Sequence, residues 1–208
     1  MSAGASFTGM ARPLVLASGS ATRADMLRRA GLTFDQQPAR VDEDMIKDAM
    51  LAEQAPPRDV ADALADVKAR SVACQRPDAL TIGADQVLVK DGRLFSRPET
   101  RDQAADTLHA LSGGPHDLIS AVVVADGDRV LWRFVDQARL TVRPLSDAFI
   151  QHYLDAAGDS VFASVGAYQL EGLGAQLFTG VRGDFFTILG LPLLPLLDFL
   201  RRHDMVPL

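Results

Sequence analysis

Asp85 is the residue of this sequence whose surroundings point most directly to chemistry. It stands inside an apolar strand pattern over residues 80–89, directly after Gly83 and Ala84. An aspartate in such a strand is costly to bury unless it is paired, bound to a metal or placed at a strand end facing a cleft. An aspartate that points to water from an edge strand, or that caps a bulge, would need no function. Both interpretations remain open from the residue alone.

A loop of small polar residues lies between an apolar run at 13–17 and a helical pattern at 21–30. The free N–H groups and positive dipole at the start of a helix favour an anion. Ser18 and Ser20 add hydroxyl groups, and Arg23 adds a fork of donors that suits phosphate oxygens. An ordinary helix start, with Ser20 as the cap and Arg23 in solvent, explains the same residues.

Two carboxylates would form a hard oxygen site if Glu43 reached Asp85. Glu43 belongs to an acidic bend at 41–44, ahead of a polar and irregular helix predicted over 45–54. Paired carboxylates of this kind suit Mg²⁺ or Mn²⁺. Acidic bends are also typical of solvated surface turns, so the alternative of a surface turn stays open.

Three further charged residues could face such a site. Lys68 lies near the edge of the apolar face of a helix predicted over 58–74, and Arg97 stands in the fixed turn before Pro98. Glu171, in a loop of small residues, could cap a turn or contact the edge of a base. Surface charges explain Lys68 and Arg97 equally well. The residues predicted to face inward from the helix are Val60, Leu64, Val67 and Val72.

The elements that must position these residues alternate along the chain. The patterns predict strands at 13–17, 34–39, 80–89, 93–95, 118–125 and 129–142, and further helices at 100–111, 146–156 and 191–202. Residues 160–178 are predicted to form loop and short strand, with His116 in a helix-to-strand loop. The segment 190–193 needs no catalytic explanation. Alternating helices and strands with long hairpins predict a mixed sheet covered by helices.

Composition excludes several classes of protein. The chain has 208 residues, and 21 Lys and Arg against 27 Asp and Glu give a net charge of −6, which argues against a nucleic-acid binder. Cys74 is the one cysteine, so no intrachain disulfide can form. Prolines and Asp198 interrupt the apolar stretch 188–200, which argues against a membrane span. Residues 1–10 are expected to form a loose tail, and a cytoplasmic location fits this composition.

Taken in order, these motifs resemble the Maf family of nucleoside triphosphate pyrophosphatases. Residues 16–23 look like the family's Ser-x-Ser-x-x-Arg loop, and 41–43 look like its acidic segment. Residues 64–69 match its helix lysine, and 83–87 match the strand that bears the catalytic aspartate. Residues 111–113 with His116, and segments 166–168, 171–172 and 190–193, follow in family order. The resemblance extends from Leu14 to Leu208.

The resemblance implies an inosine-triphosphatase-like α/β fold, with an elongated, largely antiparallel mixed sheet flanked by helices and a deep central cleft. It implies one domain of two lobes over 11–208, usually a homodimer, that uses Mg²⁺ or Mn²⁺ to hydrolyse a nucleoside triphosphate to the monophosphate and pyrophosphate. The implied roles are proton acceptor for Asp85, phosphate binding for Ser18, Ser20, Arg23, Lys68 and Arg97, metal binding for Glu43 and Asp85, and base selection for Thr22, Gln86 and Glu171.

Differences from the family pattern concern the substrate. Arg97 replaces the usual lysine, Ala21 and Thr22 replace a proline and a second arginine, and 185–187 replace a more polar stretch. The carboxylate of Glu171 could accept both donors of guanine and favour a cationic 7-methylguanine ring. The leading hypothesis is therefore 7-methyl-GTP or a related modified nucleotide in a house-cleaning role. The alternatives are a dTTP or UTP pyrophosphatase, a non-catalytic nucleotide-binding regulator of cell division, and an α/β domain whose Asp85 is merely capped.

Overall fold

The computed structural model describes residues 12–206, so the predicted tail at 1–10 lies outside the described residues. Its strands are β1 Leu14–Leu16, β2 Asp35–Gln36, β3 Leu80–Lys90, β4 Arg93–Phe95, β5 Pro115–Asp126, β6 Arg129–Val142 and β7 Phe178–Arg182. Its α-helices are α1 Ala21–Arg29, α2 Glu43–Ala52, α3 Pro57–Ala73, α4 Arg101–Leu111, α5 Asp147–Ala157, α6 Phe185–Ile188 and α7 Leu193–Arg202. Two 3₁₀ helices span Gly158–Ala163 and Leu173–Leu177.

The strands form one mixed sheet in the order β2-β1-β3-β5-β6-β7, with β4 paired to β3. β1 runs parallel to both β2 and β3, whereas β4 is antiparallel to β3 and β7 is antiparallel to β6. The two-residue turn between β5 and β6 can only join antiparallel strands. The predicted fold class, a mixed α/β sheet flanked by helices, is confirmed. None of the helices within residues 12–206 has the length and apolar character needed to span a bilayer.

The described residues group into two compact units, the first made of 12–86, 120–136 and 190–206. In this unit β1 is fully buried, and so are Leu27, Leu64 and Ile82. Trp132 stacks on Phe134 and Phe199, with ring centroids 6.0 and 5.1 Å apart. Strand β1 and helix α3 share an apolar cluster through Val15 and Val72, which fixes the position of the loop that follows β1.

The second unit comprises residues 87–119 and 137–189. Its core packs Leu108 of α4 and Leu154 of α5 with Leu140 of β6 and with both tyrosines, Tyr153 and Tyr168. Side chains from α4, β5, β6 and α5 form this core, so residues far apart in the sequence contribute to it.

Helix α2 differs from the prediction. It is regular and begins at Glu43, whereas the sequence indicated an acidic bend at 41–44 and an irregular helix from 45. The Asp42 side chain accepts a hydrogen bond from the Met45 N–H at 2.9 Å and caps the helix. Glu43 and Asp44 fall in the first turn, where the helix dipole favours negative charge. The bend is thus a helix cap and first turn.

The buried face of α3 also differs from the prediction. Val67 is exposed, and Lys68, predicted near the edge of the face, is buried. The buried face includes Ala61, Ala65 and Ala69, whose small side chains allow the helix to approach β3 closely. The apolar pattern therefore predicted the helix correctly. It placed the buried face about one residue away from its observed position, on Val67 and not on Lys68.

Three other assignments need correction. His116 lies in β5, which begins at Pro115, and is not in a loop. The second strand is limited to Asp35–Gln36, shorter than the predicted 34–39. Residues 160–178, predicted to form loop and short strand, include most of the two 3₁₀ helices, and strand β7 and helix α6 follow. Sequence patterns could not give them because both elements are short and β7 has no buried residue among its five.

Candidate active site

The Ser-Gly-Ser loop between β1 and α1 is organised by its own hydroxyl groups. The Ser18 hydroxyl accepts hydrogen bonds from the Ser20 N–H at 3.3 Å and from Nη1 of Arg23 at 3.1 Å. The Ser20 hydroxyl accepts from the Arg23 N–H at 3.3 Å, so Ser20 is the helix cap. These bonds hold the predicted anion-binding side chains at the positive end of α1.

Arg23 is not an ordinary solvated residue of the first helical turn. Its Nε donates to the carbonyl oxygen of Gly190 at 2.7 Å. Gly190 has a φ of +99°, and a Cβ at this position would lie 3.4 Å from Nε and Nη2 of Arg23. Glycine therefore allows both this backbone conformation and the close approach of the guanidinium. Segment 190–193, which was predicted to need no catalytic explanation, thus helps through Gly190 to position Arg23.

The charges of three residues meet at a second cluster in the same unit, the carboxylate–lysine cluster of Glu43, Lys68 and Asp85. Nζ of Lys68 lies 2.5 Å from Oδ1 of Asp85 and 2.8 Å from Oε1 of Glu43. Lys68 and Asp85 are only 7% and 5% exposed. Burial of Asp85 is thus offset by a charge-assisted hydrogen bond, which is the condition that an acid inside an apolar strand requires.

The close approach of α3 to β3 brings Lys68 to Asp85. A Cβ on Gly83 would lie 2.6 Å from the backbone N of Ala69, and it would also meet the carbonyl oxygen of Ala65. Gly83 and Asp85 are two residues apart in β3 and therefore face the same side of the sheet. Only a glycine fits between strand and helix at this point.

Glu43 reaches the cluster from the first turn of α2. Burial by itself raises the pKa of a carboxyl group, but the hydrogen bond and charge of Lys68 act in the opposite direction. The charges of Lys47 and Arg23 add to the effect of Lys68, and the pKa of Glu43 lies below its ordinary value. Glu43 is therefore held in its anionic form.

The two carboxylates of this cluster supply part of the ligand set that a hard divalent cation needs. Two carboxylates point at one cation, the ammonium of Lys68. Among residues 12–206 there is no group of three or more His, Cys, Asp or Glu side chains that could hold a metal alone. Mg²⁺ commonly takes one or two carboxylates and completes its shell with water and substrate phosphates. Glu43 and Asp85 meet that requirement.

Gln86 follows Asp85 and makes a contact that the sequence did not suggest. Its Nε2 donates to the hydroxyl of Ser120 at 3.0 Å, and Ser120 is fully buried. Ser120 is the polar residue of an otherwise apolar run, which was the available signal. The Gly190 carbonyl gave no signal, because every residue has one. Thr22 is half-buried in the first turn of α1.

The remaining predicted site residues, Arg97 and Glu171, belong to the second unit, and both are exposed. Arg97 lines a cavity of about 400 Å³ together with Arg93, Phe95 and Thr107. Glu171 lies in the turn before the 3₁₀ helix at Leu173–Leu177. The structure thus links Ser18, Ser20 and Arg23 in one group and Glu43, Lys68 and Asp85 in another.

The fold and these two groups define a class: an α/β protein with a candidate anion-binding loop and a buried aspartate–lysine pair in one unit. Comparison with known proteins gives the family. A family model described as Maf-like protein matches residues 13–203. The chain belongs to the Maf family, as its ordered motifs predicted.

Curated relatives match over nearly their whole length. The chain is 48% identical over 193 residues to a protein of Jannaschia sp. (strain CCS1) named nucleoside triphosphate pyrophosphatase 1, covering 93% of this chain and 98% of that protein. It is 51% identical over 194 residues to the nucleoside triphosphate pyrophosphatase of Paramagnetospirillum magneticum, covering 93% of this chain and 100% of that protein. It is 49% identical over 188 residues to a protein of Rhizobium meliloti named 7-methyl-GTP pyrophosphatase, covering 90% of this chain and 94% of that protein.

Proposed function

We propose that this protein hydrolyses a nucleoside triphosphate to the nucleoside monophosphate and pyrophosphate. The observation that carries the proposal is the buried Asp85–Lys68 pair in the same unit as the Ser18–Arg23 group. The family match and the names of the relatives confirm the predicted class of enzyme, a nucleoside triphosphate pyrophosphatase and hence a hydrolase.

Binding of the triphosphate would depend on donors that are already in place. The helix start at α1 presents backbone N–H groups, and Ser18 and Ser20 present hydroxyl groups. Arg23 is oriented by Gly190 and Ser18, so its position is set before substrate arrives. Preorganised donors of this kind stabilise the charge that develops on phosphate oxygens. On the family resemblance we also assign phosphate binding to Lys68 and to Arg97.

Asp85 would act as the general base. Its carboxylate accepts the proton of a water molecule that attacks the α-phosphorus, and pyrophosphate is the leaving group. Before a divalent cation binds, Lys68 holds the Asp85 carboxylate in one orientation. Glu43 and Asp85 would hold a Mg²⁺ or Mn²⁺ ion, whose chemistry is to lower the pKa of a bound water and neutralise phosphate charge.

Two further features belong to this proposal. A homodimer is proposed from the family resemblance, and light scattering at several protein concentrations tests it. A cytoplasmic location is proposed from the composition, with its single cysteine, and fractionation of expressing cells tests it.

Substitution of the proposed base tests the reaction. We expect Asp85→Asn to reduce pyrophosphate release by about 10²–10⁴-fold, the usual contribution of a general base. The measurement is release of pyrophosphate from a panel of nucleoside triphosphates with Mg²⁺ and with Mn²⁺. Asp91→Asn, in the exposed turn between β3 and β4, is the matched control and should keep full activity.

The same variant separates an enzyme from a regulator. Loss of turnover with retained nucleotide binding, measured by calorimetry, supports catalysis by Asp85. Nucleotide binding without pyrophosphate release in the unaltered protein would contradict the proposal and favour a nucleotide-binding regulator of cell division.

For the base we propose 7-methyl-GTP or a related modified nucleotide. Two observations support this choice: the relative in Rhizobium meliloti carries that substrate in its name, and the exposed carboxylate of Glu171 is available to a cationic ring. We expect Glu171→Gln to lower kcat/KM for 7-methyl-GTP relative to UTP by about tenfold, as loss of one charged hydrogen bond predicts. An unchanged ratio would contradict the assignment and favour UTP or dTTP.

A further inference from the structure

We infer that the ammonium of Lys68 occupies the place between Glu43 and Asp85 that the proposed divalent cation would take, so that the two cations exclude each other there. The inference rests on the proposed function, because that function assigns both carboxylates to a divalent cation. It concerns a role of Lys68 that differs from phosphate binding: Lys68 is the internal counter-ion of the carboxylate pair.

The contacts of Lys68 are those of a cation between two oxygen ligands. Nζ lies 2.5 Å from Asp85 and 2.8 Å from Glu43, and its side chain is 9% exposed. Both carboxylates therefore point one oxygen at the same small volume. Hard divalent cations and ammonium groups both bind carboxylate oxygens. The space between these two carboxylates therefore holds either the ammonium of Lys68 or a divalent cation.

The charge of Lys68 opposes binding of the divalent cation. The three side chains of the carboxylate–lysine cluster together carry −1 with Lys68 in place and would carry −2 without its ammonium. A positive group in contact with both ligands opposes an incoming divalent cation strongly, since the interaction grows as distance and dielectric constant fall. Removal of the Lys68 charge should therefore tighten metal binding.

The exchange also explains how Lys68 could serve both as counter-ion of the carboxylate pair and in its predicted role as a phosphate ligand. As long as Nζ bridges both carboxylates, its donors are directed at Glu43 and Asp85. An ammonium displaced from that position has three N–H donors for polyphosphate oxygens. Lys68 would then pass from the carboxylates to the phosphates when the other cation is bound.

Binding of Mn²⁺ alone, without nucleotide, tests the inference on the full chain. We expect Lys68→Met to lower the dissociation constant for Mn²⁺ by about tenfold or more, measured from free Mn²⁺ by paramagnetic resonance. Lys47→Met is the matched control: Lys47 lies on α2 with Glu43, pairs with Asp44 at 3.5 Å and does not bridge the carboxylates. It should change the constant far less. Unchanged or weaker Mn²⁺ binding in Lys68→Met, or equal tightening in both variants, would overturn the inference.

A second measurement uses the unaltered protein and does not depend on how Lys68→Met folds. Lysine acylation is mapped by mass spectrometry with and without Mn²⁺. We expect modification of Lys68 to rise several-fold with Mn²⁺ while modification of Lys47 stays constant. No rise at Lys68 overturns the inference. Because neither readout involves turnover, a protein that meets both but releases no pyrophosphate would refute the proposed function and leave the exchange standing.

Discussion

Arg23 uses different nitrogens for its side-chain contacts with Gly190 and Ser18. Nε donates to Gly190 and Nη1 to Ser18, so the planar guanidinium is fixed at two points. A lysine has one nitrogen at the end of a flexible stem and cannot reproduce the pair of contacts. The geometry of this residue, as well as its charge, thus contributes to the candidate phosphate site.

Arg23→Lys tests that statement while keeping the charge. We expect the KM for the nucleoside triphosphate to rise about tenfold, since a hydrogen bond from a charged group contributes about 1.5–3 kcal/mol. Steady-state kinetics of pyrophosphate release measures KM. Arg29→Lys on the same helix, whose side chain is 81% exposed, should leave KM unchanged. Equal KM values in the unaltered protein and Arg23→Lys would show that charge alone suffices.

At this scale the sequence predicted residue types better than contacts. Asp85 and Lys68 were both singled out, but their direct pairing was not predicted, because side chains 17 positions apart meet only through the packing of α3 on β3. Ser20 as a helix cap followed from local spacing and is confirmed. The bond from Arg23 to Gly190 spans 167 positions, and no local pattern encodes it.

Helix α3 and strand β3 lie so close at Gly83 that a methyl group does not fit between them. The helix presents the small residues Ala65 and Ala69 to the strand, and the backbone of α3 is in reach of any Cβ at residue 83. The spacing of these two elements therefore sets the distance from Lys68 to Asp85.

Gly83→Ala should force the two elements apart. We expect the free energy of unfolding to fall by about 1–3 kcal/mol, the usual cost of overpacking, and kcat to fall because the separation of α3 from β3 shifts Asp85. Urea denaturation and pyrophosphate release are the measurements. Gly180→Ala is the control, because the nearest atom to its Cβ is Thr141 Oγ1 at 4.0 Å. Stability equal to that of the unaltered protein in Gly83→Ala would contradict the close-packing argument.

Long elements with strong patterns were predicted well, and short or polar ones were not. Strand β3, helix α4 with its Thr100 cap and the β5–β6 hairpin agree with the sequence patterns to within a few residues at their ends. The start of helix α2 was misjudged because its cap and first two residues, 42–44, are all acidic and carry no apolar side chain.

Acid should destabilise the folded chain through His116. This residue is buried in the second unit with Nε2 2.6 Å from the Tyr168 hydroxyl, while Nδ1 has no hydrogen-bond partner among the described residues. Burial lowers the pKa of His116 from 6.5 to about 4, with Lys90 acting in the same direction and Asp117 against it. Unfolding returns the imidazole to water, where its pKa is the ordinary one.

The neutral imidazole therefore contributes stability above pH 6.5, and that contribution is lost as pH falls towards 4. We expect the free energy of unfolding to decrease by about 3 kcal/mol over this interval from His116 alone. Urea denaturation at several pH values measures it. His116→Gln should flatten the dependence, and His152→Gln, at an exposed position on α5, should not. If the free energy of unfolding of His116→Gln fell with decreasing pH as steeply as that of the unaltered protein, the pH dependence could not be assigned to His116.

The distribution of aromatic residues has a practical consequence for spectroscopy. The one tryptophan, Trp132, stacks on Phe134 and Phe199 within the first unit, and the two tyrosines, Tyr153 and Tyr168, belong to the second. Indole fluorescence and phenol absorbance consequently act as natural optical reporters, one for each unit, without any added label. Coincidence of the two signals during denaturation would demonstrate a single cooperative transition, and separation of the signals would reveal an intermediate.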